Sequence, residues 1–300
     1  MTVKLGDVLL VNWIMKRVLC TVALCVFASV ISGCGKKATN KVSIKNKGSD
    51  TLVQVAQAWA EAYGETNQDV SVQVSGGGSG TGITALINGT VDIANASRAI
   101  KDKEREEIKE KLGKEVNEYI VGFDGIAVYT HKDNPLTTIS LEELNGIYAE
   151  GGAIGDWKDV GAGELTGEIQ RASRQNNSGT YAFFRDVVCG KGGEFKQGAN
   201  SLSGSKEVVE FVTTTPLAIG YSGMGYKNDE VNWLAVSKEA GAEAFEPTPE
   251  NVLSKDYPIA RPLYLYTVGE ESEEVKAYIE WIMGAAGQEV VASQKFVPLQ

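Results

Sequence analysis

Apolar residues recur along the chain with two different periods, and strand-like runs alternate with helix-like ones from residue 42 onward. Val70–Val74 alternates apolar and polar positions with a period of two, which is typical of a strand. In the segment Leu52–Tyr63 the apolar positions fall on one face of a helix. Further strands are predicted at 42–45, 91–94, 170–172, 219–222 and 263–268, and further helices at 83–87, 101–112, 181–188 and 273–285. This alternation predicts an α/β protein.

The middle of the chain contains the points at which we expect it to pass between two halves. Two strand-like runs lie between Tyr119 and Thr130, on either side of Asp124. Downstream, Ser140 and Glu143 form a capping-box pattern that predicts a helix start. With crossings near 124–130 and 219–226, we expect one lobe to comprise residues 41–124 and 226–300, and the other residues 125–225.

The N-terminal segment has the features of an export signal. Lys16 and Arg17 precede an uncharged apolar run, residues 18–30, that is too short to span a bilayer. Ile31-Ser32-Gly33-Cys34 follows and resembles the lipobox of bacterial lipoproteins. We expect residues 1–33 to be a signal peptide, Cys34 to carry lipid (palmitate) and residues 34–40 to form a tether. The alternative is a buried N-terminal helix with a chance cysteine, and translation starts at either Met1 or Met15.

Charge and cysteine content narrow the function. The chain has 29 Lys and Arg against 39 Asp and Glu, whereas nucleic-acid binding requires basic residues that replace counterions. A nucleic-acid partner is therefore not expected. Two of the four cysteines lie in the signal segment, and only Cys189 lies beyond Cys34. This excludes a disulfide framework and a cysteine zinc cluster, and we expect Cys189 to be buried.

The sequence also argues against an enzyme. The single histidine, His131, lies in a polar segment that reads as a surface turn. The segment Gly77–Thr81 does not complete a Gly-x-Ser-x-Gly nucleophile elbow. The same Gly-rich loop lacks the Gly-Lys-Ser/Thr ending of a nucleotide-binding loop. No catalytic residue, cofactor or metal site is expected.

Three turns rich in Gly, Ser and Thr open directly into helices, at residues 48–51, 76–82 and 178–180. The first turn of a helix exposes unpaired N–H groups and a partial positive charge. Small residues let an anion approach these groups, and in open α/β sheets ligands bind at the carboxyl ends of strands, where these turns lie. Arg174, four residues before Ser178, is suited to grip an oxyanion with two parallel hydrogen bonds. A surface salt bridge is the alternative for Arg174.

The same segments resemble the phosphate-binding proteins of Pst (phosphate-specific transport) ABC systems. The matching segments are residues 48–51, the Gly-rich loop with Ser79, and residues 91–98, 123–128, 173–180 and 257–264. They occur in the family order and cover essentially all of residues 41–300. The resemblance implies a two-lobed, periplasmic-binding-protein-like type II fold with a ligand cleft between the lobes. It also implies a monomeric lipoprotein on the extracytoplasmic side of the cell membrane that delivers inorganic phosphate to an ABC permease.

Carried onto this chain, the resemblance assigns donors to the anion. It implies that Thr51 donates from the first turn, with Leu52 donating through its backbone N–H, and that Ser79 donates from the second turn. Arg174, Ser178, Gly179 and Thr180 are implied from the far lobe. Ser49 and Ser97 complete the candidate phosphate-binding set, together with the acidic and basic candidates Asp50, Asp124 and Arg98.

One position departs from the family pattern. Well-studied members carry an aspartate after the serine of the Ala-Ser segment, where it accepts the proton of hydrogen phosphate, but here Arg98 follows Ser97. We expect another acid to accept that proton, Asp50 in preference to Asp124, although Asp50 also suits the N-cap of its own helix. Arg98 is expected either to ligate the anion or to pair with one of these acids. The alternatives for the protein are binding of another oxyanion such as sulfate, or an adhesion or signalling role.

Overall fold

The computed structural model describes residues 41–299. The predicted signal peptide, Cys34 and the tether lie outside the described residues. The strands of this part of the chain are β1 (Val42–Gly48), β2 (Val70–Ser75), β3 (Ile93–Ala96), β4 (Val116–His131), β5 (Thr138–Ser140), β6 (Gln170–Arg174), β7 (Asn200–Leu202), β8 (Ala218–Gly223), β9 (Val231–Ser237), β10 (Ala244–Phe245) and β11 (Ala260–Val268). Eight of them are neighbours along one path, in the order β2-β1-β3-β11-β4-β8-β6-β7, and β5, β9 and β10 lie off this path.

Helices connect these strands and cover the sheet. Their bounds are α1 (Val53–Thr66), α2 (Ser79–Ile87), α3 (Asp102–Leu112), α4 (Leu141–Tyr148), α5 (Gly179–Val188), α6 (Ser205–Thr214), α7 (Pro249–Ser254), α8 (Glu273–Met283) and α9 (Ala285–Ser293). Two short 3-10 helices occupy Trp157–Val160 and Met224–Tyr226. Among residues 41–299, no helix is both long and apolar enough to cross a membrane.

The long strand β4 joins the two lobes. Its first part pairs antiparallel with β11 as far as Gly125 opposite Ala260. From Ile126 onward it pairs with β8, and further along also with β9. The sequence predicted two separate runs here, but the structure has one strand of 16 residues. Asp124 therefore lies where the strand passes from one lobe to the other.

Each lobe has its own apolar core. In the first lobe, α1 and α8 cover one face of the sheet around Trp59, and α2 and α3 cover the other around Ile83. The second lobe is built around Trp157, Phe184 and Tyr221, whose rings are all buried. Burial on both faces of the sheet explains why every residue of β3 and of β8 is buried.

The packing of residues 231–259 bears on where the chain crosses back to the first lobe, to which the sequence analysis assigns all of residues 226–300. In the structure, β9 pairs with β4 and β5, and its residues Leu234 and Val236 pack into the core of the second lobe. Val252 and Ile259 join that core as well. We therefore propose a second crossing near Ala260 in place of the one expected near residue 226.

Several helix bounds also differ from the prediction. The helix predicted from residue 83 begins at Ser79, and the one predicted from residue 181 begins at Gly179. The predicted last helix ends at Met283, where Gly284 adopts an extended backbone, and α9 follows it. The capping box of Ser140 and Glu143 is confirmed, since each side chain accepts the other residue's backbone N–H.

Cys189, predicted to be buried, is only half-buried, and burial raises the pKa of its thiol to about 11.

Candidate functional site

Hydroxyl groups from both lobes meet where three predicted turns lead into helices. Ser49 donates to the hydroxyl of Ser97 at 2.8 Å, and Ser79 lies 3.3 Å from the same hydroxyl. Thr51 of the first lobe and Thr180 of the second lie 2.9 Å apart through their Oγ1 atoms. All five side chains are essentially buried. The turns predicted from the sequence are therefore brought together.

The start of α5 lies directly against the first lobe. A Cβ atom on Gly179 would lie 2.3 Å from Ser79 Oγ and 2.7 Å from Ser97 Oγ. Only glycine fits this close approach. Ser178 caps the helix by accepting from the Tyr181 N–H at 3.3 Å. The first-turn N–H groups of α5 point out of the helix at this contact, because they have no partner within it.

The backbone N–H of Leu52, which the resemblance assigns to the anion, is already hydrogen-bonded within the first turn. Its backbone N–H donates to the carbonyl of Ser49 at 3.1 Å, and its side chain is fully buried. A role for this N–H in anion binding would require that hydrogen bond to be shared or exchanged.

Arg174 ends β6 and is 2 % exposed. Its Nη2 donates to Asp50 Oδ2 at 3.1 Å and to the Ser203 carbonyl at 2.8 Å, while Nη1 donates to Ser205 Oγ at 3.1 Å. Its Nε is buried and has no acceptor among the described residues. Burial lowers the pKa of Arg174, and the negative charge of Asp50 opposes that shift. The guanidinium is thus fixed in place with donor capacity left over.

Asp50 connects Arg174 to the Gly-rich loop. Its Oδ1 accepts from the Gly77 N–H at 2.8 Å, while Oδ2 accepts from Arg174. It does not cap α1, whose start has no side-chain cap. The N-cap alternative for Asp50 is therefore wrong, because its carboxylate turns across to the neighbouring loop instead.

Asp124 forms a buried ion pair with Arg261, which lies directly opposite it on β11. Asp124 Oδ2 accepts from Arg261 Nη2 at 2.7 Å and from Nε at 3.1 Å. Among the partners within residues 41–299, its Oδ1 accepts from the Met224 N–H alone, at 3.3 Å. Burial raises the pKa of Asp124, and the positive charge of Arg261 works in the opposite direction. A Cβ placed on Gly223 would touch both Asp124 Oδ1 and Thr51 Cγ2, so the carboxylate lies beside the hydroxyl cluster.

Arg261 was not among the candidate residues predicted from the sequence. Its Nη2 lies 3.0 Å from Thr180 Oγ1 and 3.4 Å from Thr51 Oγ1, and its Nη1 donates to the Ser97 carbonyl at 2.8 Å. The available signal was an arginine in an otherwise apolar strand, since a charged residue is almost never fully buried without a partner.

Arg98 lies apart from these acids. It donates to both carboxylate oxygens of Glu104, at 2.8 and 2.6 Å. Glu104 also accepts the Lys101 N–H at the start of α3. The expectation that Arg98 pairs with Asp50 or Asp124 is therefore wrong, because the first turn of α3 supplies a nearer carboxylate.

The Gly-rich loop also contacts the opposite lobe. The Gly80 N–H donates to the Asn177 carbonyl at 2.9 Å, and Asn177 Nδ2 donates to the Gly77 carbonyl at 2.9 Å. Gly78 has a φ of +90°, and a Cβ there would lie 2.7 Å from the Asn177 carbonyl oxygen. These glycines thus make room for the other lobe's backbone, a role that the sequence did not reveal.

The site as a whole is rich in donors. Five buried hydroxyl groups and the guanidinium groups of two arginines, Arg174 and Arg261, lie in or beside it. Each nearby carboxylate is already paired with one of these arginines. Within residues 41–299, no group of three or more His, Cys, Asp or Glu residues is arranged to hold a metal ion. A cluster of hydrogen-bond donors whose neighbouring carboxylates are already paired is suited to a compact oxyanion.

Comparison with known proteins defines the class and then the family. Residues 35–286 match the PBP superfamily domain, so the chain belongs to that superfamily of two-lobed binding proteins. The phosphate-binding protein PstS of Pseudomonas aeruginosa PAO1 is 32 % identical over an alignment of 272 positions, which covers 86 % of this chain and 83 % of that protein. PstS of Staphylococcus saprophyticus is 30 % identical over 243 residues, and the match covers 80 % of this chain and 74 % of that protein. The chain is a member of the PstS family.

A solved structure from Clostridium perfringens has the same fold. That chain is assigned as the substrate-binding protein of a phosphate ABC transporter and holds bound phosphate. It is 32 % identical, with a TM-score of 0.76 over 86 % of this chain and all of the other. The predicted two-lobed α/β fold is confirmed.

Proposed function

We propose that this protein captures inorganic phosphate between its two lobes and delivers it to the permease of an ABC importer. The observation that carries the proposal is the cluster of buried hydroxyl groups from both lobes beside Arg174, whose Nε is a buried donor with no acceptor among residues 41–299. An unpaired buried donor is costly. An entering oxyanion would satisfy it and the hydroxyl protons together. Relatives named for phosphate binding and a similar structure with bound phosphate support the same ligand.

We further propose that Asp124 accepts the proton of hydrogen phosphate. Both oxygens of Asp50 already accept hydrogen bonds of ordinary length, from Gly77 and Arg174. Among residues 41–299, Asp124 Oδ1 accepts one long hydrogen bond, from the Met224 N–H. Through Arg261 Nη2, the same carboxylate is joined to the hydroxyl oxygens of Thr51 and Thr180. These contacts reverse the order expected from the sequence, in which Asp50 ranked first.

The ligand assignment is tested by equilibrium dialysis of residues 41–300 against radiolabelled phosphate. We expect one phosphate per chain, displaced by excess arsenate and not by excess sulfate. Retention of no phosphate would overturn the proposal, and displacement by sulfate would identify a general oxyanion-binding protein instead.

The location of the protein in the cell is a separate proposal. We infer from the lipobox that it is held on the extracytoplasmic side of the cell membrane through lipid on Cys34. Metabolic labelling with a palmitate analogue should mark the wild type and the control Cys25→Ser, but not Cys34→Ser. Equal labelling of all three would rule out this anchor.

A further inference from the structure

The ion pair of Arg261 and Asp124 lies against the hydroxyl cluster without belonging to any of the three turns that form it. Both residues stand opposite each other on β11 and β4, the strands that meet where the chain crosses between lobes. The Arg261 side chain is 1 % exposed and that of Asp124 is fully buried. A buried ion pair adds little net stability, because desolvation offsets the attraction. Fold stability alone therefore gives a weak reason for an arginine here.

We propose that Arg261 is a positioning residue of the phosphate site, which directs the hydroxyl protons of Thr51 and Thr180 toward the anion. This proposal rests on the proposed function. Its physical basis is that a guanidinium has five N–H donors and no acceptor.

The donor count around Arg261 leads to this role. Asp124 accepts hydrogen bonds from the Nε proton and from one Nη2 proton of Arg261, and the Ser97 carbonyl accepts one from an Nη1 proton. The remaining Nη2 proton faces Thr180 Oγ1 at 3.0 Å and Thr51 Oγ1 at 3.4 Å. Because arginine only donates, these hydroxyl oxygens accept on that side. Each threonine then has its single proton free to donate elsewhere.

The direction of those protons matters because the unprotonated oxygens of phosphate only accept hydrogen bonds. Without a ligand, one threonine can donate to the other across the 2.9 Å contact between the lobes. When phosphate enters, Arg261 still blocks the acceptor side of both oxygens, so both protons are available to the ligand. Asp124 fixes the guanidinium in this orientation. Arg261 thus prepares one donor from each lobe for the same anion.

The test compares two substitutions that differ in acceptor capacity. Lysine at position 261 also only donates, whereas glutamine has an amide oxygen that can capture a threonine proton. We expect Arg261→Lys to weaken phosphate binding threefold to tenfold, and Arg261→Gln by roughly 30-fold, the loss of about one charge-assisted hydrogen bond. Binding is measured by calorimetry and folding by thermal unfolding. Arg171→Gln, the same change on a more exposed arginine that donates to the Gln197 carbonyl, should leave binding unchanged.

A double-mutant cycle separates positioning from simple charge. In a Thr180→Val background the loss caused by Arg261→Gln should shrink to tenfold or less, because one of the two directed hydroxyls is gone. If Arg261→Gln does not fold, the loss caused by Arg261→Lys should likewise shrink in that background. Equal binding by the folded Lys and Gln variants, or equal losses in both backgrounds, would overturn the proposal. Failure of the wild type to bind phosphate would instead overturn the proposed function.

Discussion

At the scale of single residues, Arg174 places a buried positive charge beside the cluster and links the two lobes through Asp50. We predict that Arg174→Ala weakens phosphate binding by more than ~2 kcal/mol, because a buried charged hydrogen bond is lost from one side. Calorimetric titration of the folded variant measures the change. Arg185→Ala is the matched control, since Arg185 pairs with its neighbour Asp186 on the outer part of α5. Binding by Arg174→Ala within a factor of three of wild type would contradict this role.

The choice between phosphate and sulfate is a second residue-scale prediction. Phosphate at neutral pH keeps a proton that a carboxylate can accept, whereas sulfate has none and meets the carboxylate as a like charge. We expect Asp124→Asn to narrow the ratio of phosphate to sulfate affinity by about tenfold or more, a difference of about 1.4 kcal/mol. Asp50→Asn should weaken both anions by similar factors, since Asp50 holds Arg174 and the Gly-rich loop.

The same titration shows whether Asp124 or Asp50 accepts the proton of hydrogen phosphate. If only Asp50→Asn narrows the ratio, the order expected from the sequence is right and our structural ranking is wrong. If neither does, selection comes from another acceptor.

The sequence predicted the hydroxyl turns and Arg174 because helix starts leave recognisable local patterns. Arg261 was missed because its partners lie 81 to 210 residues away along the chain, and no local pattern records such contacts. The role of Asn177 was missed for the same reason. The partner of Arg98 lies only six residues downstream, but choosing among nearby acids required knowing where α3 begins.

At the scale of elements, the start of α3 depends on the carboxylate of Glu104. Burial raises the pKa of Glu104, but hydrogen bonds from Arg98 and from the Lys101 N–H outweigh it and leave the pKa below its ordinary value. A lowered folded-state pKa stabilises the protein above the unfolded value of about 4.3, and this stability is lost as the pH falls through the folded value.

We therefore predict that Glu104→Gln lowers the free energy of unfolding at pH 7 by about 1–2 kcal/mol, and that the difference from wild type shrinks below about pH 4. Urea unfolding at both pH values measures it. Glu107→Gln, on the exposed face of the same helix, should have little effect at either pH. A Glu104→Gln difference that stays constant with pH would contradict the assignment.

The contact between the Gly-rich loop and α5 gives a prediction about closure. Gly78→Ala places a Cβ 2.7 Å from the Asn177 carbonyl oxygen in the closed arrangement. We expect at least tenfold weaker phosphate binding, the consequence of about 1.4 kcal/mol or more of strain, and incomplete compaction on adding phosphate in small-angle X-ray scattering. Gly151→Ala is the control, because its φ is also positive at +78° but a Cβ there meets nothing within 4 Å. Equal behaviour of the two variants would show that this contact does not limit closure.

Hydrophobic periodicity located most of the elements but did not resolve their continuity. The two runs around Asp124 form one strand because β11 pairs with the first part and β8 with the second. Conversely, the last predicted helix was expected to run to Ala285 but ends at Met283, and a further helix that was not predicted follows Gly284. For β4, pairing with distant strands decides the outcome.

At the scale of the whole molecule, one crossing between the lobes is expected from the sequence and a different second crossing is inferred from the pairing of the strands. In the sequence, Asp124-Gly125 interrupts the apolar pattern, and in the structure these residues lie where β4 leaves the first lobe. Residues 231–259 carry no comparable mark, and only the pairing of β9 with β5 and β4 places them in the second lobe. We propose lobe boundaries near residues 125 and 260 on this basis.

The proposed function depends on selection of phosphate by the buried cluster of donors. Calorimetric titration of residues 41–300 with phosphate, sulfate and arsenate measures this selection. We predict saturable binding of one phosphate per chain, weaker binding of arsenate at the same site, and no measurable heat from sulfate at concentrations that saturate with phosphate. Absence of phosphate binding, or sulfate binding as tight as phosphate binding, would contradict the proposed function.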